Sequence, residues 1–416
     1  VAAVWRIESP RIVGALTRLT GDFSLAEDLA QEALAEALVS WPRDGVPANP
    51  AGWLLTVGRR RAIDAYRRRS ALDQRYAAMA RDLDEGEYAA GAAGSSDSDG
   101  VLWDPDRIED EVLPLVFTAC HPVLSREAQV ALTLRVVGGL SSDEIARAFL
   151  IPTATVQARI TRAKKTLAAA AVPFEVPPTA ERRERLGPVL SVVYLIFTEG
   201  STASSGSELI RVDLAHEALR LARMLAHLVP DESETSGLLA LLELTAARFP
   251  ARTDASGEPV LLEDQDRRRW DLSSIRRGRA ALATAQKVGR GLGPYGVQAA
   301  IAECHAVASS VEETDWDRVV LLYEILLRLA PSPVVALNHG VAVSMAQGPA
   351  AGLAAVDELA EDTLLKASHL LPSVRGELLI RLRRYDEARA ELSLALERCA
   401  SVQERLVLER KLSDLG

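Results

Sequence analysis

The chain has 416 residues, of which 48% are apolar, 25% charged and only 5% aromatic, with a formal net charge of −10. This excludes a disordered chain and leaves room for two or three domains with real cores. Three cysteines (Cys120, Cys304, Cys399) exclude a disulfide framework, and no apolar run approaches the roughly 20 residues that cross a bilayer.

In chain order, helical periodicity covers residues 5–19, 24–41 and 48–70, and no segment alternates as a strand does. Arg6, Glu8 and Arg11 leave no signal-peptide core among the first residues, and the cysteine count suggests a reducing cytosol. In SLAEDLAQEALAEALVSW, Ala30, Leu34, Ala37, Leu38 and Trp41 form the face expected to be buried. Asp28, Gln31 and Glu32 form an acidic patch on another. After prolines 42, 47 and 50, residues 45–70 carry six arginines against Asp64 alone, interleaved with Trp53, Leu54, Val57, Ile63 and Tyr66. Aromatics among arginines suit nucleic acid whose bases can stack, although an ordinary amphipathic helix has the same ingredients.

Residues 81–111 hold eleven acids against Arg81 and Arg107 and include the small, polar GEYAAGAAGSSDSDG, which reads as a flexible acidic linker. Helices resume near Asp106 and run to Ala171. Within Leu140–Leu167, a serine at 141 or 142 with Glu144 can close a capping box, and Ile145, Ala148 and Phe149 form an apolar face. Leu150-Ile151-Pro152 breaks the helix, and Thr153 is expected to cap the next one. There Val156, Ile160 and Leu167 face inward and Thr155, Gln157, Arg159, Arg162 and Lys165 outward. This is the helix-turn-helix pattern, in which Gln157 and Arg159 reach base edges and Arg162 and Lys165 reach phosphates. The negative total therefore hides two short basic blocks, +5 over 45–70 and +4 over 153–165. Fields act locally, so the blocks outweigh the sum.

Beyond the prolines at 173, 177 and 178, a helical region spans 181–249 and an irregular stretch 250–270. The latter contains LLEDQDRRRWD with Glu263, Asp264, Asp266 and Asp271. Clustered carboxylates can bind hard cations. With three arginines among them, the expectation is instead a structural loop with Trp270 buried and the acids, Asp264 and Asp266 included, bonding arginines or backbone. No metal site and no cofactor are expected: the pairs Cys120-His121 and Cys304-His305 lack zinc-ligand spacing, and Cys399 is at most a redox candidate. Helices then alternate with short turns over 315–329, 333–347, 349–360, 373–383 and 385–399. Similar starts at Val319, Gly352 and Ala388 suggest tetratricopeptide-like repeats, with a plain helical bundle as the alternative.

Taken in order, AEDLAQEAL, NPAGWLLTVGRRRAIDAYRRR and LSSDEIARAFLIPTATVQARITRAKKTL resemble domains 2 and 4 of a bacterial sigma factor of the extracytoplasmic-function type. ACHPVLS, VLSVVYLIFTEG, LLEDQDRRRWD, LGPYGVQAAIAECHA and PSPVVALNHGVAV resemble the group of these factors with a large C-terminal tetratricopeptide-like extension. In two places the chain departs from that pattern: Thr198 and Ser201 stand where Asn and Tyr are expected, and Ala119 where a second Cys is common.

The resemblance implies an all-α protein that is not an enzyme, with sigma domain 2 at 1–70, a linker at 71–104 and sigma domain 4 at 105–170. A helical extension would follow at 171–290 and repeats at 291–416. It implies that Asp28, Leu29, Gln31 and Glu32 dock on the β′ clamp of core RNA polymerase, whose β flap is a further partner. Trp53, Arg59, Arg60, Arg67 and Arg68 would hold the melting −10 element, and Thr155, Gln157, Arg159, Arg162 and Lys165 would read the −35 element of promoter DNA. The acidic linker would thread the polymerase's RNA path, and the extension would contact and regulate the sigma modules in place of a separate anti-sigma protein. The rival readings are a helical-repeat adaptor with a DNA-binding head and a metal-dependent nuclease.

Overall fold

The computed structural model describes residues 1–70, 112–149, 151–201, 212–254, 260–289, 291–399 and 402–415. The linker expected at 71–104, the helix expected from Asp106 to residue 111, and the Arg68 side chain lie outside the described residues. The described residues are helical with no β-strand, and they form two compact units, Val1–Val193 and Tyr194–Gly416.

The first unit begins with α1 (Ala2–Thr20), α2 (Phe23–Asp44) and α3 (Pro50–Ser70). Asp22 caps α2 by accepting from Leu25 N, and Asn49 caps α3 by accepting from Gly52 N at 2.9 Å. Gly21, in the left-handed region at φ 63°, ends α1, as C-terminal glycines do. Ile12, Val13 and Leu16 of α1 are buried, as are Leu54, Val57 and Ile63 of α3. The helices cross closely at Gly58, where a Cβ would stand 2.8 Å from Leu16 Cδ1. Tyr66 completes this core, donating its hydroxyl to Thr20 O at 2.7 Å. Buried there, it is unavailable for stacking on a base, which corrects its inclusion among the stacking aromatics. Leu38 is likewise exposed rather than buried, because Ala33, Ala37 and Trp41 already fill that side of α2.

The same unit continues with α4 (Val112–Ala119), α5 (Arg126–Val136), α6 (Ser142–Phe149), α7 (Thr153–Ala169) and the start of α8 (Thr179–Ser201). Cys120, buried, lies 3.3 Å from Thr133 Oγ1, and burial pushes its thiol up to about 12. Such a group is a core residue rather than a nucleophile.

The second unit holds the rest of α8, then α9 (Val212–Leu228), α10 (Ser233–Ala246), α11 (Leu272–Lys287), α12 (Pro294–Val307), α13 (Trp316–Leu329), α14 (Pro333–Gln347), α15 (Pro349–Asp357), α16 (Thr363–Lys366), α17 (Leu370–Arg381), α18 (Tyr385–Arg398) and α19 (Val402–Asp414). The helical region expected over 181–249 comprises three helices among the described residues, and the helix at Val402–Asp414 adds to those expected. Glu243 of α10, 1% exposed, binds Arg223 of α9 at 2.7 Å and Arg277 of α11 at 3.2 Å, fastening three helices by one carboxylate. Small residues let the later helices pair: a Cβ on Gly352 would lie 2.3 Å from Ser344 Cβ.

LLEDQDRRRWD forms two short 3-10 turns, with Trp270 buried beneath them. Asp266 accepts from Arg268 N and pairs with its guanidinium at 2.9 Å. Asp271 caps α11, accepting from Ser273 and Ser274. Glu263 pairs with Arg381 at 2.9 Å. Asp264 is exposed.

Candidate nucleic-acid interface

The helix-turn-helix is built as its sequence requires. Ser141 N donates to Glu144 Oε2 at 2.8 Å and Glu144 N donates to Ser141 Oγ at 3.2 Å, a closed capping box at the start of α6. Pro152 begins the next helix and cannot continue the last. Thr153 does not cap α7: it is the first helical residue, and its hydroxyl donates to Asp143 Oδ1 at 2.9 Å, tying α7 to α6. Val156, Ile160, Ala163 and Leu167 are buried and Ile145 packs on their side of the turn. That fixes the roll of α7. Gln157, Arg162 and Lys165 are consequently exposed, while Thr155 and Arg159 are half-buried. The Arg162 side chain folds back, its Nε donating to Ala158 O at 3.3 Å.

On α3, Arg60 and Arg67 are exposed at i and i+7, with exposed Asp64 between them on the same face. Arg59 is half-buried, with an Nε that has no hydrogen-bond partner. Trp53 stands edge-on to Trp41 at 5.5 Å and is half-buried.

The acidic helix α2 is split between two roles. Leu29, 3% exposed, belongs to the core, so it can shape a docking face only from beneath. Gln31 is half-buried. Asp28, Glu32, Ala35 and Val39, at i, i+4, i+7 and i+11, make one exposed stripe, acidic at one end and apolar at the other, with exposed Leu38 beside it. The apolar end was missed because Leu38 fits an inward-facing period equally well. Glu32 lies 3.5 Å from Arg61, which also pairs with Glu36 at 2.9 Å. All three are substantially exposed, so these pairs add little stability.

The two ends of the unit meet at Glu27. This carboxylate, 4% exposed, binds Arg135 Nε of α5 at 3.0 Å and Lys164 Nζ of α7; Lys164 also reaches Asp28 Oδ1 at 2.9 Å. Burial works against the Lys164 charge, but the attraction of Glu27 and Asp28 outweighs it and its pKa is raised. Lys164 lies between the outward positions of α7 and would pass for another phosphate contact by sequence alone. The structure turns it inward.

Among the described residues, one group could hold a metal: the ligand atoms of His369, Cys399 and Glu404 lie within 4.8 Å of one another. Their separation along the chain hides them from spacing arguments.

Comparison with known proteins agrees with this geometry. Residues 5–72 match sigma-70 region 2, residues 115–167 match sigma-70 region 4, and residues 185–286 match a family of unknown function, DUF6596. The chain is 42% identical over 419 residues to an uncharacterised protein of Rhizobium meliloti (strain 1021), covering 98% of this chain and 94% of that protein.

Proposed function

Because the chain belongs to the sigma-70 family, as an extracytoplasmic-function-type sigma factor with a C-terminal extension, we propose that it is an alternative sigma factor in which α2 docks on core RNA polymerase, α3 holds the −10 element and α7 reads the −35 element. The observation that carries this reading is the roll of α7. Four buried residues hold it against its partners, so that Gln157, Arg162 and Lys165 face solvent together. On α2 the proposed contacts are Asp28 and Glu32 with Val39 and Leu38 beyond them. Leu29 supports that face from the core, and Gln31 borders it. On α3 they are Trp53, Arg59, Arg60, Arg67 and Arg68.

The contact between Lys164 and Asp28 adds a condition. The form described has a polymerase-docking residue engaged by the DNA-reading helix. Full engagement of polymerase and promoter therefore requires the α2–α7 contact to open, and core polymerase supplies the competing surface. The C-terminal extension, with its paired, tetratricopeptide-like helices, acts on the sigma modules in place of a separate anti-sigma protein. The site of action is the bacterial cytoplasm, and no catalysis is assigned.

Run-off transcription with purified core polymerase on a cognate promoter tests the reading, and failure to initiate would defeat it. The same assay on a chain ending at Val172 tests the extension. Full activity would sink a required role, and raised activity would recast the extension as an inhibitor.

A further inference from the structure

The second unit holds an open cavity of about 670 Å³ whose chemistry the sigma-factor reading does not use. One end is cationic. Arg248, at the end of α10, Arg252, and Arg267 of the 3-10 turn line it together with His305. The Arg248 guanidinium makes no hydrogen bond or ion pair with the described residues. Arg267 donates Nη1 to His305 O and Ala308 O, both at 2.6 Å, and lies over the Trp270 ring at 4.9 Å; its Nη2 has no partner. Arg252 donates to Ser201 O. The Arg267 contacts are to neutral carbonyls, and Glu312 is the acid that acts on its charge.

The lining holds five cationic side chains and three carboxylates, and each carboxylate has its own partner elsewhere in the cavity. Glu263 pairs with Arg381, Glu377 with Arg381 and Lys411, and Glu404 with His369. Nothing comparable serves Arg248. Burial, and then the neighbouring Arg252 and Arg267 charges, push its pKa down to about 10, and burial, then the Arg248 and Arg267 charges, push His305 down to about 4. His305 is thus neutral near pH 7 and adds no charge of its own. Grouped like charges in a partly dry site are costly unless something pairs with them. Between these polar groups the lining is apolar, and includes Leu261, Leu262, Val311, Trp316, Val374 and Leu378.

We propose that the extension carries a binding site for a small organic anion, its phosphate or carboxylate head seated on Arg248 beside Arg252 and Arg267, and its apolar body lying along the wall formed by Leu261, Val311 and Val374. Arginine suits such a head because its planar fork of donors matches the oxygens of either group. The site needs no element of the polymerase- or DNA-binding surfaces, so it stands whether or not the protein initiates transcription.

Calorimetric titration of the full chain with 1-naphthyl phosphate, 1-naphthoate and the neutral 1-naphthol tests it. At least one anion is expected to bind about tenfold or more tightly than 1-naphthol, the gain of a charge-assisted hydrogen bond. The tighter of the two identifies the head group. Arg248→Gln removes the preference and leaves 1-naphthol binding within about twofold, because only the uniform apolar contacts remain. Thr245→Glu, which places a carboxylate one turn before Arg248 on the same side of the chain, removes it by supplying the missing partner. It keeps the proposal testable if Arg248→Gln does not fold. Equal binding of all three probes to the native chain would overturn the proposal, as would an anion preference that survives either substitution.

Discussion

Lys164 Nζ lies 2.9 Å from Asp28 Oδ1, so the helix proposed to read DNA holds a carboxylate proposed to dock on polymerase. Lys164 also serves the buried Glu27, which Arg135 reaches from the other side. Replacing Lys164 by Gln leaves Glu27 with one cation. The expected cost is about 1–3 kcal/mol, read as a lower melting temperature of the first unit. Core polymerase should bind more tightly, by several-fold, as the contact opens more readily. Fluorescence anisotropy with core polymerase checks this, and weaker binding would remove the contact as a brake.

Arg162→Ala should lower affinity for all promoter sequences alike and reduce the slope of log K against log salt by about 1, because one phosphate contact is lost. Gln157→Ala should instead relax preference at one base pair of the −35 element. Titrations of the polymerase-bound protein at several salt concentrations separate the two. An unchanged slope would take Arg162 off the phosphates.

Asp271 is an acid-sensitive element of the extension. Hydrogen bonds from Ser273 and Ser274 hold its carboxyl well below the usual range. A carboxyl depressed on folding stabilises the protein above its unfolded value of about 3.9, and that contribution is lost as pH falls through the folded value. Asp271→Ala should therefore cost about 1 kcal/mol near pH 7, as loss of a helix cap does. The deficit should shrink as the pH is lowered below about 4. Melting curves across pH 2–7 read both effects, and a deficit independent of pH would show that the charge is irrelevant.

Glu243→Leu removes the carboxylate shared by Arg223 and Arg277. Breaking a fully buried pair costs about 3–5 kcal/mol, but both arginine side chains are 47% exposed and can turn to water. The expected loss is thus nearer 2 kcal/mol, measured by urea unfolding. A loss near zero would mean that the apolar contacts of α10 alone hold the three helices together.

Much of the architecture could be read from the chain because helices write their own signals locally. The capping box at Ser141 and Glu144, the proline at 152 and the inward period of Val156, Ile160 and Leu167 involve residues a turn or two apart. Leu38 and Tyr66 were misread for the opposite reason. Leu38 fits a buried period that neighbouring alanines already satisfy, and Tyr66 finds its partner, Thr20 O, 46 residues away.

Charge, caps and periodicity are properties of neighbours along the chain, and they suffice for an all-α protein with two short basic blocks, a helix-turn-helix and an acidic helix ahead of an arginine-rich one. Packing between distant segments is what turns Lys164 inward to Glu27 and Asp28 and brings Arg248, Arg252 and Arg267 to one cavity. Those groupings join residues from separate helices. The contact that neutralises a charge, or fails to, is set by how apolar faces bury, and no local pattern records it.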